Sequence, residues 1–378
     1  MTTQPLALAS TEPGEKFLRA VEGVIREHHY KPDIQAARAL FAAIAAHQLE
    51  GAAVWPMLVA PSGSLKTELL ESLDGLPGIH FVDQITPKTF LSGQIEDPKK
   101  KPDQTSPSLL FRIGSGILVY PDFSTVLSMS RDNRGSVLAD MRRIYDGHLR
   151  KEYGTADRMC EREWRGRITF AVAATPHIDT YYAVFQTLGE RFVMIRWGRP
   201  GGVGAALSAM NQDRTQARAL LKAAVHRMLS SLPDVEPTLS DDVQLQVAAL
   251  AEFAVRARTH VPRVGYSKEI IYVPEPEAPT RLGQQLSQLA KGAALLGRRS
   301  VVSIEDLDLV RRVAFDCIPA SRRKILDAMR FNQDLSETRL PASTSKYAIE
   351  ELKSLELVTD KWLSRYAVEL LQEARMLE

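Results

Sequence analysis

The 378-residue sequence predicts an α/β fold in which a parallel sheet is covered by helices on both faces. Two observations support this fold class. Residues 53–59, 116–120 and 168–174 are short and apolar throughout, as is typical of strands that are buried on both faces. Helical segments alternate with these strands along the chain, and this alternation indicates βαβ units.

The first half of the chain supplies the elements of this sheet. Residues 1–14 are polar and contain prolines and a glycine, which predicts a flexible tail. Residues 15–48 follow a helical periodicity, and residues 96–107 are expected to be a solvated polar loop. The other expected elements are strands at 53–59, 80–82, 116–120 and 168–174, helices at 67–73, 88–91 and 135–146, and an exposed hairpin at 147–167.

The second half predicts two further domains. Residues 205–260, 279–297 and 304–316 are rich in alanine and leucine and have a helical pattern. The last segment predicts a helix, a turn, a second helix and a short strand pair around Val358 and Trp362, as in a winged helix-turn-helix. The expected domains are an α/β nucleotide-binding domain at 1–200, a helical lid at 201–319 and a winged helix-turn-helix at 320–378.

Composition excludes some classes of protein. The 48 lysines and arginines nearly balance the 46 aspartates and glutamates, so a basic surface for nucleic acid must be local. Cys160 and Cys317 stand far apart without metal-ligand spacing, which argues against a disulfide scaffold or a zinc site. We find neither a leader peptide nor a membrane span in the sequence, and we therefore expect a cytoplasmic protein.

The segment APSGSLKT, from Ala60 to Thr67, follows the first predicted strand and begins a helix. Its layout resembles the phosphate-binding loop G-x-x-x-x-G-K-[ST], with Ala60 and Leu65 in place of the two glycines. In such a loop backbone N–H groups surround the phosphates and the lysine reaches the β and γ oxygens, while the hydroxyl holds Mg²⁺. We therefore expect ATP and Mg²⁺ as cofactors. The predicted nucleotide-binding residues are Ser62, Gly63, Ser64, Leu65, Lys66 and Thr67, with Thr67 also a metal ligand.

Two residues at the ends of later strands are candidates for catalysis. Asp122 follows the strand at 116–120, where an acidic side chain at the end of a neighbouring strand would hold Mg²⁺. Its alternative role is that of a turn residue or helix cap. Thr175 ends the strand at 168–174 and could contact the γ-phosphate or the attacking water, or be an ordinary threonine before a proline.

Two arginines are candidates for contact with the nucleotide phosphates, and the first of them could reach the nucleotide of a neighbouring subunit. Arg191 follows the strand at 168–174 by the length of a helix, which suits an arginine finger. Arg281 opens the helix at 279–297 and could contact the same phosphates from the helical lid. Surface salt bridges are the alternative for both.

Candidates for DNA contact lie at the start of the second helix of the C-terminal segment. Polar and basic side chains at this position suit phosphate and base-edge contacts in a major groove. The same helix carries three glutamates, and many winged helices bind only protein. The predicted DNA-binding residues here are Ser343, Thr344, Lys346 and Tyr347.

In their order along the chain, these segments resemble the AAA+ ATPases, and within them the branch of the minichromosome-maintenance (MCM) helicases. APSGSLKT resembles the Walker A loop, ILVYPD the Walker B strand and VAATP the sensor-1 segment. LGERF resembles the arginine-finger segment, and PTRLGQQLSQLAKG the lid helix with the sensor-2 arginine. The predicted hairpin resembles the pre-sensor hairpin, and a winged helix after the lid is common among these relatives.

The resemblance implies an oligomeric ATPase that binds ATP between the subunits of a ring or spiral, with a hexamer as one arrangement, and remodels DNA. It implies that His148, Arg150 and Lys151 of the hairpin face DNA in the central channel. The sequence departs from the family at Ala60, at Leu65 and at Phe123, which stands where the family has an acidic residue.

Three hypotheses remain open at this stage. The first is a DNA-associated ATPase from a phage, a mobile element or a defence locus, with further partner proteins from the same locus. The second is a nucleotide-binding scaffold with weak or absent hydrolysis, which Leu65 and Phe123 favour. The third is a transcription regulator in which ATP switches DNA binding by the winged helix.

Overall fold

The computed structural model describes residues 15–93, 107–155, 158–181, 190–198 and 201–377. The predicted tail at 1–14 and nearly all of the predicted loop at 96–107 lie outside these ranges. The strands are β1 (Trp55–Val59), β2 (Ile79–Phe81), β3 (Gly116–Tyr120), β4 (His148–Thr155), β5 (Arg158–Arg165), β6 (Ile168–Ala174) and β7 (Phe192–Arg196).

Five of the strands form one parallel sheet in the order β2–β3–β6–β1–β7. Every residue of β1, β3 and β6 is buried, which explains why these strands are apolar except for Thr169, whose hydroxyl lies 3.0 Å from Nδ1 of His47. The sheet is flanked by helices, so the predicted α/β fold class is confirmed at this level. The remaining strands, β4 and β5, pair in the antiparallel hairpin that the sequence predicts at 147–167.

Fourteen α-helices occur in the described part of the chain. The helices are α1 (Lys16–His28), α2 (Ile34–Ala45), α3 (Lys66–Glu71), α4 (Leu109–Ile113), α5 (Ser124–Leu127), α6 (Arg131–Tyr145), α7 (Val203–Asn211), α8 (Arg214–Ser230), α9 (Asp241–Arg258), α10 (Thr280–Leu296), α11 (Ile304–Asp316), α12 (Ala320–Arg330), α13 (Ala342–Ser354) and α14 (Arg365–Glu373).

One predicted helix, at 88–91, is wrong. This stretch forms a turn in which the Thr86 N–H donates to the hydroxyl of Thr89, at 2.8 Å. A threonine side chain that binds nearby backbone in this way competes with helix formation.

The last part of the chain differs from the sequence prediction at two points. Between α13 and α14 the predicted strand pair is reduced to a single bridge that joins Val358 to Leu363. The sequence prediction also missed α14, which packs on α9 and whose Tyr366 hydroxyl donates to Glu252 at 2.7 Å. The winged-helix assignment therefore remains a prediction.

The helices that follow the sheet share its hydrophobic core. Buried side chains of α9, α10 and α11 belong to the same cluster as those of the strands. The closest approach is between α10 and α2, where Gly292 faces the carbonyl oxygen of Ala42 and leaves no room for a side chain. Of the described helices, none is long and apolar enough to cross a membrane.

The α10–α2 contact predicts a stability difference between two glycines of one helix. We expect Gly292→Ala to lower the free energy of unfolding by about 1–3 kcal/mol, because its Cβ would overlap the backbone of α2. The control, Gly283→Ala, meets only ordinary contact with Ala251, so we expect it to gain roughly 0.5–1 kcal/mol of helix propensity. Urea denaturation of the two variants measures both changes. Equal effects would contradict the packing described here.

Candidate functional site

A cavity of about 370 Å³ lies at the carboxyl end of β1. This volume is within the range of small-molecule sites. The loop that resembles Walker A and the start of α3 form one wall, and the turn between α1 and α2 and the helix α7 form others. The lining residues are His29, Tyr30, Pro32, Gly63, Ser64, Leu65, Lys66, Thr67, Glu68, Trp197, Ala205, Ser208, Ala209, Gln212, Arg214 and Arg218.

The loop adapts to the loss of its two glycines. Ala60 is buried, and its N–H continues the sheet by donating to the carbonyl of Ala174 at 3.1 Å. Gly63 takes the positive φ of +78°, and no atom lies within 4 Å of the position its Cβ would occupy. The backbone at Gly63 is therefore open to a close ligand, as a phosphate-binding loop requires. The hydroxyl of Ser64 donates to the carbonyl of Pro61 at 2.5 Å and closes the turn.

The Lys66 ammonium lies at the carboxyl ends of two strands. It donates to the carbonyl of Ala60 at 2.9 Å and to that of Ala174 at 3.3 Å. Burial lowers the pKa of Lys66, and the charge of Asp122 opposes this shift. Thr67, the next residue, is exposed on the first turn of α3. The predicted phosphate and metal ligands therefore share one end of the sheet.

The strand order changes the expected relation between the loop and Asp122. β6 lies between β1 and β3, so Thr175 follows a direct neighbour of β1 and Asp122 follows the strand beyond it. The Asp122 carboxylate accepts the N–H of Ser124 at 3.1 Å, as a turn or cap residue does. Phe123 is fully buried, with its ring 5.3 Å from that of Phe192. The residue in the position of the family's acidic residue is thus part of the core.

The walls of the cavity opposite the loop are formed by residues that no sequence motif identifies. His29 and Tyr30 come from the break between α1 and α2, and Trp197 follows β7, where its N–H extends the ladder to Val59 at 2.9 Å. These residues come from segments that are far apart in sequence. The one local signal is Pro32-Asp33, a pair of residue types that is typical of turns. Among the lining side chains, Lys66 and the arginines of α8 outnumber the single carboxylate of Glu68.

Arg191 and Arg281 lie together at the opposite end of the sheet. β7 pairs with β1 from Phe192 opposite Trp55, so Arg191 precedes the amino end of both strands. At about 3.3 Å per residue, this position is roughly 20 Å from the carboxyl end of β1, where Lys66 is held. Neither arginine can therefore reach the cavity of its own chain.

Several contacts hold the two arginines in place. One turn after Arg281 on α10, the amide of Gln285 donates to the Arg191 carbonyl at 2.6 Å. The Arg191 guanidinium is 3.5 Å from the carboxylate of Asp146 and lies over the ring of Tyr145. Burial, and then the charge of Arg281, lower the pKa of Arg191. Arg191 and Arg281 are thus neighbours with interacting charges at this end of the sheet, where the Arg191 side chain is 11 % exposed.

Arg258 joins the segments that carry these two arginines. Its side chain is 2 % exposed and ion-pairs with Glu190, which precedes Arg191, at 2.6 Å. It also pairs with Glu277, which in turn contacts Arg281 at 3.3 Å. A buried charge with two carboxylate partners is strongly constrained in position, because leaving any of the three unpaired is costly. Arg258 therefore fixes both arginines relative to α9.

A second ion-pair network links the cavity end of the sheet to the C-terminal helices. Arg196, the last residue of β7, forms a bidentate pair with Asp179 at 2.9 and 2.7 Å, just beyond Thr175. The Arg196 N–H donates to the buried carboxylate of Asp316 at 2.9 Å, and Asp316 also pairs with Arg323 of α12. The end of β6 and the helices α11 and α12 are thereby connected through β7.

The three hairpin candidates for DNA contact differ in their surroundings. His148 is exposed at the base of β4. Arg150 is exposed but ion-paired with Glu161 at 2.8 Å and Glu163 at 3.3 Å. Lys151 ion-pairs with Asp140 and donates to the carbonyl of Pro87 at 3.0 Å, and so contacts the body of the protein. These partners weaken the expectation that Lys151 faces DNA.

The candidates on α13 form an exposed helix start. Ser343 and Lys346 are exposed, and Lys346 is 3.8 Å from the carboxylate of Glu350 one turn later. The ring of Tyr347 lies 4.8 Å from the guanidinium of Arg263. Ser343, Thr344 and Lys346 could contact a ligand without rearrangement, whereas the ring of Tyr347 already packs against Arg263.

The described residues define an α/β chain with a five-stranded parallel sheet, a polar cavity at one end of that sheet and an arginine pair at the other. No known protein-family model matches the chain, and no curated protein is significantly similar to it in sequence.

The burial of Arg258 predicts a large effect of its removal. We expect Arg258→Met to lower the free energy of unfolding by about 3 kcal/mol or more, because Glu190 is left buried without its partner. The control Arg256→Met, on the same helix, removes partly exposed pairs with Glu252 and Glu356 and a contact with the Tyr366 ring, and should lower the free energy of unfolding by only about 1–2 kcal/mol. Urea denaturation monitored by circular dichroism compares them. A smaller loss for Arg258→Met than for the control would contradict the assigned role.

Proposed function

We propose that this chain is an AAA+ ATPase of the MCM helicase branch, which binds ATP and Mg²⁺ between subunits and acts on DNA. The observation that carries the proposal is the separation of two sets of residues. Lys66 and the loop face a cavity at the carboxyl end of β1, while Arg191 and Arg281 lie at the amino end. A nucleotide can contact both sets only if a second copy supplies the arginines.

The cavity suits a nucleoside triphosphate. The open backbone at Gly63 and the ammonium of Lys66 would bind the phosphates, where the positive end of α3 adds to the attraction. Tyr30 offers aromatic surface for a base on the opposite wall. An excess of positive side chains around the phosphate position favours a polyanion.

Mg²⁺ fits this site only together with phosphate. Among the described residues, no group of three or more His, Cys, Asp or Glu side chains could hold a metal ion. Mg²⁺ is commonly bound by one or two protein ligands together with phosphate oxygens and water. Thr67 and Asp122 would provide the protein oxygens, and the ion would neutralise charge on the β and γ phosphates.

Hydrolysis would depend on residues from two subunits. Thr175, at the end of the strand between β1 and β3, would orient the attacking water near the γ-phosphate. Arg191 and Arg281 of the neighbour would stabilise the charge that develops on the transferred phosphoryl group. Phe123 has no carboxylate that could position the water, and its ring is buried in the core. We therefore propose slower hydrolysis than in relatives that carry an acidic residue there.

Two other functions are candidates: a catalytically weak scaffold and a DNA-binding regulator that is switched by ATP. The burial of Phe123 favours the scaffold over a fast motor. Phosphate release measured with and without DNA separates the possibilities, because a scaffold gives no DNA-stimulated turnover. Binding to one DNA sequence at physiological salt would instead support the regulator, since non-specific binding is strongly weakened by salt.

DNA contact would involve His148 and Arg150 of the β4–β5 hairpin together with Ser343, Thr344 and Lys346 of α13. The exposure of His148, Arg150 and Lys346 supports this part of the proposal. We extend the proposal to a cytoplasmic setting, in a phage, mobile element or defence locus whose other products would be its protein partners.

Removal of the Lys66 ammonium tests nucleotide binding. We expect Lys66→Ala to weaken the affinity for a fluorescent ATP analogue by about 10-fold or more, equivalent to about 1.4 kcal/mol per decade. Lys222→Ala, which removes a surface lysine paired with Asp74, is the control and should bind as the unmodified protein does. Unchanged binding by Lys66→Ala would show that the cavity is not the nucleotide site.

Mixing of two inactive variants tests whether the arginines act between subunits. We expect Arg191→Ala and Arg281→Ala each to bind nucleotide but to lose about 10³-fold in hydrolysis, the usual effect of an arginine finger. An equimolar mixture of Lys66→Ala and Arg191→Ala should recover activity at roughly a quarter of its interfaces, where an intact loop meets an intact arginine. Phosphate release is the measurement. If the mixture stays inactive while mixed oligomers form, the arginines do not act in trans.

A further inference from the structure

α7 has two faces of opposite character. Ala205, Ser208 and Ala209 line the cavity on one side of the helix. Val203, Leu207 and Met210 recur at intervals of four and three residues, which places them together on the opposite side. Val203 is 76 % exposed and Met210 80 %. A three-residue apolar stripe thus lies back to back with the wall of the candidate nucleotide site.

A second exposed apolar surface precedes Arg281. We name residues 264–273 the apolar strip, which includes Val264, Tyr266, Ile271, Tyr272 and Val273, all of them exposed. Tyr266 is 99 % exposed. Large apolar side chains grouped in this way on a surface indicate a contact site.

The apolar strip has a defined backbone. Hydrogen bonds from the Val264 N–H to the Glu269 carbonyl and from the Ile271 N–H to the Pro262 carbonyl, both 2.9 Å long, close a turn over residues 262–271. Arg263 anchors it to α13 through Glu351 at 2.8 Å. A surface that is already ordered loses little conformational entropy on binding, which favours a stable contact.

We propose that the apolar strip of one copy packs against the α7 stripe of the next copy and thereby seats Arg191 and Arg281 on that copy's nucleotide. This inference rests on the proposed function, because it assumes that the two arginines act between subunits. The occupant is a second copy of this chain. The subunit that brings Arg281 to the cavity must cover its rim, and α7 is one wall of that rim.

Continuity and charge support this pairing. Glu277 lies four residues after Val273 and contacts both Arg258 and Arg281, so the strip and Arg281 belong to one short segment of the chain. Glu275 is exposed beside the strip, and Arg214 is exposed beyond the end of α7. Opposite charges at the border of an apolar contact fix its orientation. A stripe of three side chains is only part of the roughly 800 Å² per partner that a stable interface buries, so the proposed contact must also include surface around the stripe.

Cross-linking between two single-cysteine proteins tests the pairing directly. The background is Cys160→Ser, since Cys317 is buried. Met210→Cys and Ile271→Cys proteins with different tags are mixed with ATP and Mg²⁺ and treated with a short bis-maleimide. We expect a mixed adduct that forms several-fold more slowly without nucleotide. Leu245→Cys, an exposed leucine of α9, replaces Met210→Cys in the control and should give no adduct with Ile271→Cys.

The other outcomes each overturn the inference. Adducts only between two Met210→Cys copies would show a two-fold contact in place of the head-to-tail one. Assembly with ATP but without the mixed adduct would show that another surface covers α7, including residues 1–14 of the same chain. In both cases Lys66-dependent nucleotide binding is measured in the same samples, so the proposed function can stand while this inference fails.

A charge in the stripe gives an independent test. We expect Leu207→Glu to weaken ATP-dependent assembly at least 10-fold by sedimentation velocity and to leave nucleotide binding by the monomer within about two-fold. Leu245→Glu, with nearly the same exposure, is the control and should assemble normally. Normal assembly of Leu207→Glu would overturn the inference. If the unmodified protein does not bind nucleotide, that result would instead contradict the proposed function.

Discussion

The parallel direction of the five sheet strands is the constraint on which the rest of the structure depends. Parallel strands require a crossover after each one, and every carboxyl end then lies at the same edge of the sheet. This geometry brings Ala60, Asp122 and Thr175 to one edge although more than fifty residues separate each from the next. The same geometry sends residues that precede a strand, such as Arg191, to the other edge. A ligand site and its complementary charges are therefore separated within each chain.

Much of this arrangement could be predicted from the sequence because burial leaves a strong local pattern. Strands buried on both faces must be apolar throughout, and the loop from Ala60 to Thr67 combines small residues with Lys66 at the start of a helix. The order of strands could not be predicted, since periodicity carries no information about which strands are adjacent. Nothing in the apolar pattern therefore indicates that β6 lies between β1 and β3.

The parts of the candidate site that escaped prediction depend on contacts over long separations. Arg258 looks like any charged residue of a helix, and only the fold reveals that it is buried between Glu190 and Glu277. Phe123 looks like a substitution in a catalytic motif, whereas its ring fills the core beside Phe192. Helix α14 was missed because its apolar side is short, and its position depends on packing against α9.

The weak attachment of α7 has a consequence for how the cavity opens. No residue of α7 is buried among the described residues, whereas α9 to α11 share the core of the sheet. The helix is held mainly where Gly204 lies against Tyr30 and where Gln212 donates to the carbonyl of His28. Local unfolding favours segments with few buried contacts. Amide hydrogens of α7 should thus exchange far sooner than those of the sheet, and a ligand could enter by release of this one helix while α9 to α11 stay in place.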